Sequence, residues 1–229
     1  MTCRVSIILP ALNESAQIGA AIDSAVRAGA DEIIVVDGGS QDGTREIAAD
    51  RGSRVLSSEA GRAKQQNAGA AVAGGDLLLF QHADCRLSSD CLKQVRIACT
   101  DSSVSFGAFE QQINANGWLY GLLSKGNAAR VRMLGLAYGD QGIFVRREAF
   151  EQVGGFPDEP LMEDVVLMRR LRRLGRPRLL PGPLQVSARR WEQKGVLTQT
   201  VRNWCLLSAF FCGVSPRRLQ RYYPRHDAS

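Results

Sequence analysis

The run Asp76-Leu77-Leu78-Leu79-Phe80-Gln81-His82-Ala83-Asp84 lies at the centre of the sequence's organisation. Four consecutive apolar residues after Gly74-Gly75 read as a short strand buried on both faces, as in a parallel sheet. The chain then turns polar, and Asp84 falls where its carboxylate projects from the strand's C-terminal end. Ligands bind at that edge of open α/β sheets. A carboxylate there either caps the next helix or holds a divalent cation against a ligand phosphate. The stretch alone leaves both open.

Upstream, Val5–Leu9 reads as a first strand, stopped by Pro10, which cannot donate to a central ladder. Ser15 is placed to cap a helix whose apolar residues Ile18, Ala21, Ile22, Ala25 and Val26 follow helical spacing, with Gly29 ending it. Glu32–Val36 is a second buried strand, followed by the tight loop Asp37-Gly38-Gly39-Ser40-Gln41-Asp42-Gly43-Thr44 and a helix near 45–51. Arg54–Ser57 is a third strand, and 61–70 a small-residue helix. This alternation predicts an α/β protein with a parallel sheet. Downstream come a helix over 88–100, a strand over 104–113, a helix over 117–134, and the loop Tyr138-Gly139-Asp140-Gln141-Gly142. A short strand, Ile143–Val145, and a helix over 147–153 follow. Glu163-Asp164 opens a helix closed by Gly175, residues 177–183 read as a poorly structured connection, and an amphipathic helix spans 196–212.

The chain of 229 residues is 45% hydrophobic and 23% charged, ordinary for a globular protein. Its net charge of +6 is unevenly spread. Residues 1–164 hold 15 Lys+Arg against 21 Asp+Glu, and residues 165–229 hold 14 against 2. The basic C-terminal third points to an anionic partner or to a solvated basic face. Six cysteines form no C-x-x-C pair, and His82 with Cys85 lacks a second half-site, so free thiols in a reducing compartment are expected. The N-terminus runs straight into a strand with no signal peptide, and Trp204–Val214 is about half a membrane span. A cytoplasmic location follows, with peripheral attachment at the inner membrane face as an option.

The sequence Val5–Glu14, the Asp37 loop, Gly61-Arg62-Ala63 with Asn67, and Glu163-Asp164 together resemble the family 2 glycosyltransferases of GT-A fold. The wording of His82-Ala83-Asp84 and of Ser187-Ala188-Arg189-Arg190-Trp191 resembles a small bacterial subfamily of arsenosugar-biosynthesis or selenodomain-associated transferases. The resemblance implies a Rossmann-like, mixed but mostly parallel sheet flanked by helices over residues 1–190. A C-terminal helix and basic tail over 191–229 would extend it. It also implies a metal-dependent, inverting transfer of a hexosyl-type sugar from a nucleoside-diphosphate sugar to an acceptor hydroxyl.

On that resemblance, the donor is held by Pro10, Ala11, Asn13, Glu14, Asp37, Gly38, Gly61, Arg62, Lys64, Asn67, His82 and Ala83. Asp37 would accept from a base N–H, or else form an Asx-turn that shapes its loop. Glu14 would bond ribose hydroxyls, or else serve as a first-turn helix carboxylate. Gly61, Arg62 and Lys64 lie at a loop-to-helix junction that favours an anion. Asp84 would ligate Mg²⁺ or Mn²⁺, whose charge stabilises the departing diphosphate. That leaving group needs no proton, so one carboxylate base suffices. Asp164 is the expected base, with Glu163 beside it. Asp140, Arg190 and Trp191 are expected to meet the acceptor, although Trp191 can equally be core.

Two departures from the family pattern stand out. The paired acids are replaced by His82-Ala83-Asp84, which removes one negative charge from the metal site. Only Arg190-Trp191 survive of the processive members' Gln-x-x-Arg-Trp, which argues against a polymer-extruding synthase. The rival readings are a nucleotidyltransferase-like nucleotide-binding enzyme and a non-catalytic nucleotide- or partner-binding module. Nucleic-acid binding is not expected, since the arginines lack interleaved aromatics. The segment 196–223 would either touch anionic lipid or a second chain, or pack on the main domain.

Overall fold

A computed structural model describes residues 3–115 and 117–223; the side chains of Arg190, Gln193 and Lys194 also lie outside the description, and with them the acceptor role expected of Arg190. Strand β1 (Val5–Ala11), helix α1 (Ser15–Arg27), strand β2 (Glu32–Asp37), helix α2 (Thr44–Asp50), strand β3 (Arg54–Ser57), helix α3 (Arg62–Val72) and strand β4 (Leu77–Phe80) follow in order. All four residues of β4 are buried. Leu77 and Leu79 enter one core layer with Val5, Ile7 and Leu9, whereas Leu78 and Phe80 enter the other with Ile8 and Ile34. The period of two therefore feeds both faces at once, each side chain contributing about 1.5–3 kcal/mol.

The remaining elements are strand β5 (Cys85–Leu87), helix α4 (Cys91–Ala98), strand β6 (Phe106–Asn114), helix α5 (Trp118–Leu134), strand β7 (Ile143–Arg146) and helices α6 (Arg147–Gln152) and α7 (Glu163–Leu171). Strand β8 (Arg178–Ser187) and helices α8 (Arg189–Lys194), α9 (Val196–Phe211) and α10 (Pro216–Leu219) complete the described chain. The described residues build one eight-stranded sheet in the order β3-β2-β1-β4-β7-β6-β8-β5. Strands β1 to β4 run parallel, β7 is antiparallel to β4 and β6, and β8 is parallel to β6. The mixed, mostly parallel α/β sheet expected from the sequence is thus present. The order reverses at β1, with β2 on one side and β4 on the other, and a crevice opens at such a switch point.

Several expectations are corrected. Pro10 does not stop β1, which continues to Ala11 beside β2. The Ile8 carbonyl accepts from Gln81, so even-numbered residues of β1 face β4. Pro10 lies beyond the last β1–β4 pair, Ile8 with Phe80, where no ladder donor is required. Ser15 is not the cap of α1: the Glu14 and Ser15 amides donate to Thr44 Oγ1 (2.9 Å) and Asp42 Oδ2 (3.0 Å), so the cap comes from another loop. Residues 177–183 are largely strand. Between the pairs Phe109–Leu180 and Gln111–Leu184, the segment Pro181-Gly182-Pro183 bulges out of the ladder. Gln94 receives it, bonding both the N–H and the carbonyl of Gly182 at 2.9 Å. Strand β5 and helix α8 went unforeseen, being only three and six residues long.

Candidate active site

Asp84 reaches the sheet edge through a tight turn after β4. The Gln81 amide donates to Ile8, its side chain donates to the Cys85 carbonyl at 2.9 Å, and the Cys85 amide donates to the His82 carbonyl at 3.1 Å. Arg86 donates to the Ala83 carbonyl at 2.7 Å, and the Asp84 carbonyl receives the Ser187 amide from β8. Each bond fixes backbone, so the Asp84 side chain is held at the mouth of a cleft. That cleft encloses about 750 Å³ including its open side, and it also takes in Arg62, His82, Asp140, Glu163, Asp164 and Trp191. Asp84 and Asp164, 80 positions apart in sequence, share one cavity.

Asp164 lies in the first turn of α7, next to Met162, whose φ of +64° is rare for a side chain with a Cβ. Its Oδ2 accepts from the Gly139 amide and its Oδ1 from the Val165 amide, both at 2.7 Å. Burial and the neighbouring Glu163 charge push its pKa up to about 6, against the pull of Arg62 and the two amides. Glu163 is buried and paired with Arg62 Nε at 2.9 Å, so the first cation of α3 faces the first acid of α7. Gly139 joins the two halves of the site: a Cβ there would sit 2.6 Å from His82 Nε2.

The turn carrying Gly139 and Asp140 is braced from below. Arg130, buried, donates to the Leu136 carbonyl, to Asn127 and to Gln141 Oε1, and its guanidinium lies 3.5 Å from the Tyr138 ring centroid. Gln111 donates to the Asp140 carbonyl at 2.9 Å and accepts from Asn127 at 2.6 Å. Burial pushes the Tyr138 hydroxyl up to about 12, although Arg130 opposes it, so Tyr138 is a neutral donor in this wall.

A second wall comes from the C-terminal segment. Trp191, Gln199, Asn203, Leu206 and Tyr223 line it, and Leu161 and Met162 also border the cavity. Gln199 is buried and bonded to Asn203 and Arg202, whose guanidinium lies 5.2 Å from the Tyr223 ring. Sequence reasoning missed Tyr138, Gln199, Asn203, Leu206 and Tyr223. The signal was the i,i+4 pair of amides, Gln199 and Asn203, on one face of an amphipathic helix.

Most other expected donor residues form a strip along the C-terminal ends of β1 and β2, outside this cavity's lining. The Asp37 carboxylate is fully buried and accepts from the Gly39 and Ser40 amides at 3.0 and 3.1 Å, an Asx-type arrangement that shapes its loop. Asn13, with φ +53°, binds Ser40 through its amide and Gln41 through its side chain, and Glu14 binds Thr44. Gln65, unforeseen, ties Ala11 to Val36 with two 2.8 Å bonds and lies 3.1 Å from where a Cβ on Gly38 would be. Pro10 belongs to this strip, and buried Ala83 to the turn below Asp84. Gly61, φ +143°, precedes α3. Lys64 pairs with exposed Glu59, and Asn67 spends its amide on both backbone groups of Phe156 (2.8 and 3.0 Å).

No curated protein matches the chain. Among solved structures, it is similar to the mannosyltransferase PcManGT from Pyrobaculum calidifontis in complex with GDP-Man and Mn²⁺. The TM-score is 0.64 at 20% identity, covering 82% of this chain and 57% of that one. It is also similar to glucosyl-3-phosphoglycerate synthase from Mycobacterium tuberculosis (TM-score 0.59, 23% identity, 81% and 70% covered). A third likeness is to TarS 1–349 of S. aureus (0.65, 18%, 81% and 60%). The chain thus spans just over half the length of the first of these, and at such identities the likeness is one of fold, the GT-A fold. The model of the family described as glycosyl transferase family 2 matches residues 6–154, which include the strip along β1 and β2, Arg62, Asp84 and Asp140. The chain belongs to glycosyl transferase family 2.

Proposed function

We propose that the protein transfers a sugar from a nucleoside-diphosphate sugar to an acceptor hydroxyl, with inversion at the anomeric carbon. The observation that carries this reading is the meeting of Asp84 and Asp164 in one cleft beside the Arg62–Glu163 pair. Asp164 is the base. Its carboxylate is held by two amides yet keeps further lone pairs, and it takes the proton of the acceptor hydroxyl as oxygen attacks the anomeric carbon. The bond to the diphosphate breaks, and the nucleoside diphosphate departs with the electron pair. Arg62 and His82 meet the diphosphate, and the strip along β1 and β2 meets base and ribose. The acceptor lies between Asp164 and Trp191.

Among the described residues no group of three or more His, Cys, Asp or Glu is assembled for a metal. The half-buried oxygen donor Asp84 nevertheless suits Mg²⁺ or Mn²⁺, ions that take one or two carboxylates and fill the remaining positions with substrate phosphates and water. When bound, such an ion supplies positive charge for the leaving diphosphate. The PcManGT structure is a complex with GDP-Man and Mn²⁺, and a further structure of the mycobacterial synthase is a complex with Mn²⁺ and UDP-glucose. The test is to incubate the protein with a panel of nucleoside-diphosphate sugars and hydroxyl acceptors, with and without Mn²⁺, and measure released nucleoside diphosphate. Metal-dependent release is the expected outcome. Pyrophosphate release from a nucleoside triphosphate, with no reaction of nucleotide sugars, would overturn the reading in favour of nucleotidyl transfer.

A further inference from the structure

Helix α9 is apolar on both sides: Leu206 and Leu207 are buried, and its outer face is apolar as well. Its inner face presents Gln199, Asn203 and Leu206 to the cleft, whereas Leu197, Val201, Trp204 and Phe211 face solvent at 70%, 59%, 51% and 50% exposure. The outward residues recur at spacings of four, three and seven, which keeps them on a single stripe about 21 Å long. Globular helices usually do the reverse, turning polar residues to water. An apolar stripe of this length left in solvent is unfavourable unless something covers it. The chain then turns at Gly213 (φ +90°) into α10, where Leu219 is buried against Leu161 and Leu206 while Arg217, Arg218 and Arg221 stay exposed. Tyr222 beside them is 72% exposed.

We propose that the outer face of α9, with the cations of α10, is a docking surface for an anionic lipid bilayer. Three observations select that occupant. Trp, Phe and Leu on one face with Arg nearby is the composition of helices that lie in the plane of an interface. Residues 193–223 contain no Asp or Glu, so a second copy applied to the same face offers no charge complement in either orientation, whereas lipid phosphates do. No helix among the described residues is long and apolar enough to cross a membrane, so the contact is one of surface attachment. Attachment through the outer face leaves Gln199 and Asn203 on the cleft side, and the surface stands whether or not the transfer reaction proposed above is correct.

The experiment is co-sedimentation of the full chain with phosphatidylcholine vesicles, with and without phosphatidylglycerol, at low and high salt. Binding is expected to the anionic vesicles at low salt and to weaken as salt rises. The double variant Leu197→Ser/Trp204→Ser should weaken it about tenfold or more, and Arg217→Gln/Arg218→Gln by about fivefold per cation removed. All four residues are exposed, and circular dichroism with an unchanged melting temperature would show that the variants fold. The proposal is overturned if the wild type stays in solution with anionic vesicles at low salt, or if the variants bind as the wild type does. It is equally overturned if sedimentation velocity shows a dimer that Leu197→Ser/Trp204→Ser dissolves while vesicles leave it intact.

Discussion

The two walls of the cleft are built on opposite principles. One carries Asp84, His82, Asp140, Glu163 and Asp164 on short turns at strand and helix ends, its charged groups held by backbone amides, Arg62 and the buried Arg130 network. The other is neutral and comes from the C-terminal helices: Trp191 of α8, Gln199, Asn203 and Leu206 of α9, and Tyr223 beyond α10. A carboxylate whose task is proton transfer must sit where geometry and pKa are both fixed, which favours a rigid sheet edge. Amides and rings suit a neutral hydroxyl compound, the acceptor proposed above, and a helical segment outside the sheet can supply them without disturbing the carboxylates. On the proposed function, reaction and acceptor selection would then reside in separate parts of the chain.

Substitutions should separate the walls in the same way. The largest effect is expected at Asp164: Asp164→Asn should lower kcat about 10³-fold, while nucleoside-diphosphate affinity, measured by calorimetry, stays within about twofold. A near-normal rate would remove Asp164 as the base. Asp84→Ala should abolish the tightening of nucleoside-diphosphate binding by Mn²⁺, a loss of roughly a hundredfold, visible in thermal shifts with and without the ion. Unchanged metal response would break the assignment of the charged wall. On the neutral wall, Gln199→Leu should raise acceptor KM about tenfold with little change in kcat or donor affinity. A fall in kcat equal to that of Asp164→Asn would instead show that both walls take part in the chemistry.

The smallest expected effect is a displacement along the pH axis. The base role proposed for Asp164 requires its ionised form, and burial with the Glu163 charge lifts its pKa to about 6. The rate should therefore fall as pH drops through about 6 and level off above it. Glu163→Gln removes the like charge and releases Arg62 to act on Asp164, and both changes favour the ionised form. Its acid limb should move to lower pH, as read from the pH profile of kcat/KM. A limb that stays in place would assign it to another group.

How far the sequence could be read depended on the range of the determining forces. Strands β1 to β4 were legible because continuous apolar runs such as Leu77–Phe80 can be satisfied only by burial on both faces. The place of Asp84 at the sheet edge, where it lines the cleft, was legible because it follows such a strand. Helix-cap chemistry misled at Ser15, where the caps reach across from Asp42 and Thr44, and proline chemistry misled at Pro10 and at 177–183. In those strands the prolines fall where the ladder asks for no donor, a fact of register that no local pattern contains. Asn67 shows the same limit, since nothing near it in sequence announces Phe156 as its partner.

From the sequence alone came the order of elements from β1 to β4, the parallel first half of the sheet and the positions of its polar loops, because these follow from periodicity and from which residues avoid water. The folded structure was needed to show that Asp84 and Asp164 share a cleft, that Glu163 is taken up by Arg62, and that α9 turns Gln199 and Asn203 to the cleft while leaving Leu197, Val201 and Trp204 in solvent. Each of those outcomes depends on which surfaces meet across tens of residues, and on the burial that sets the charge of Asp164, quantities that exist only once the chain has folded.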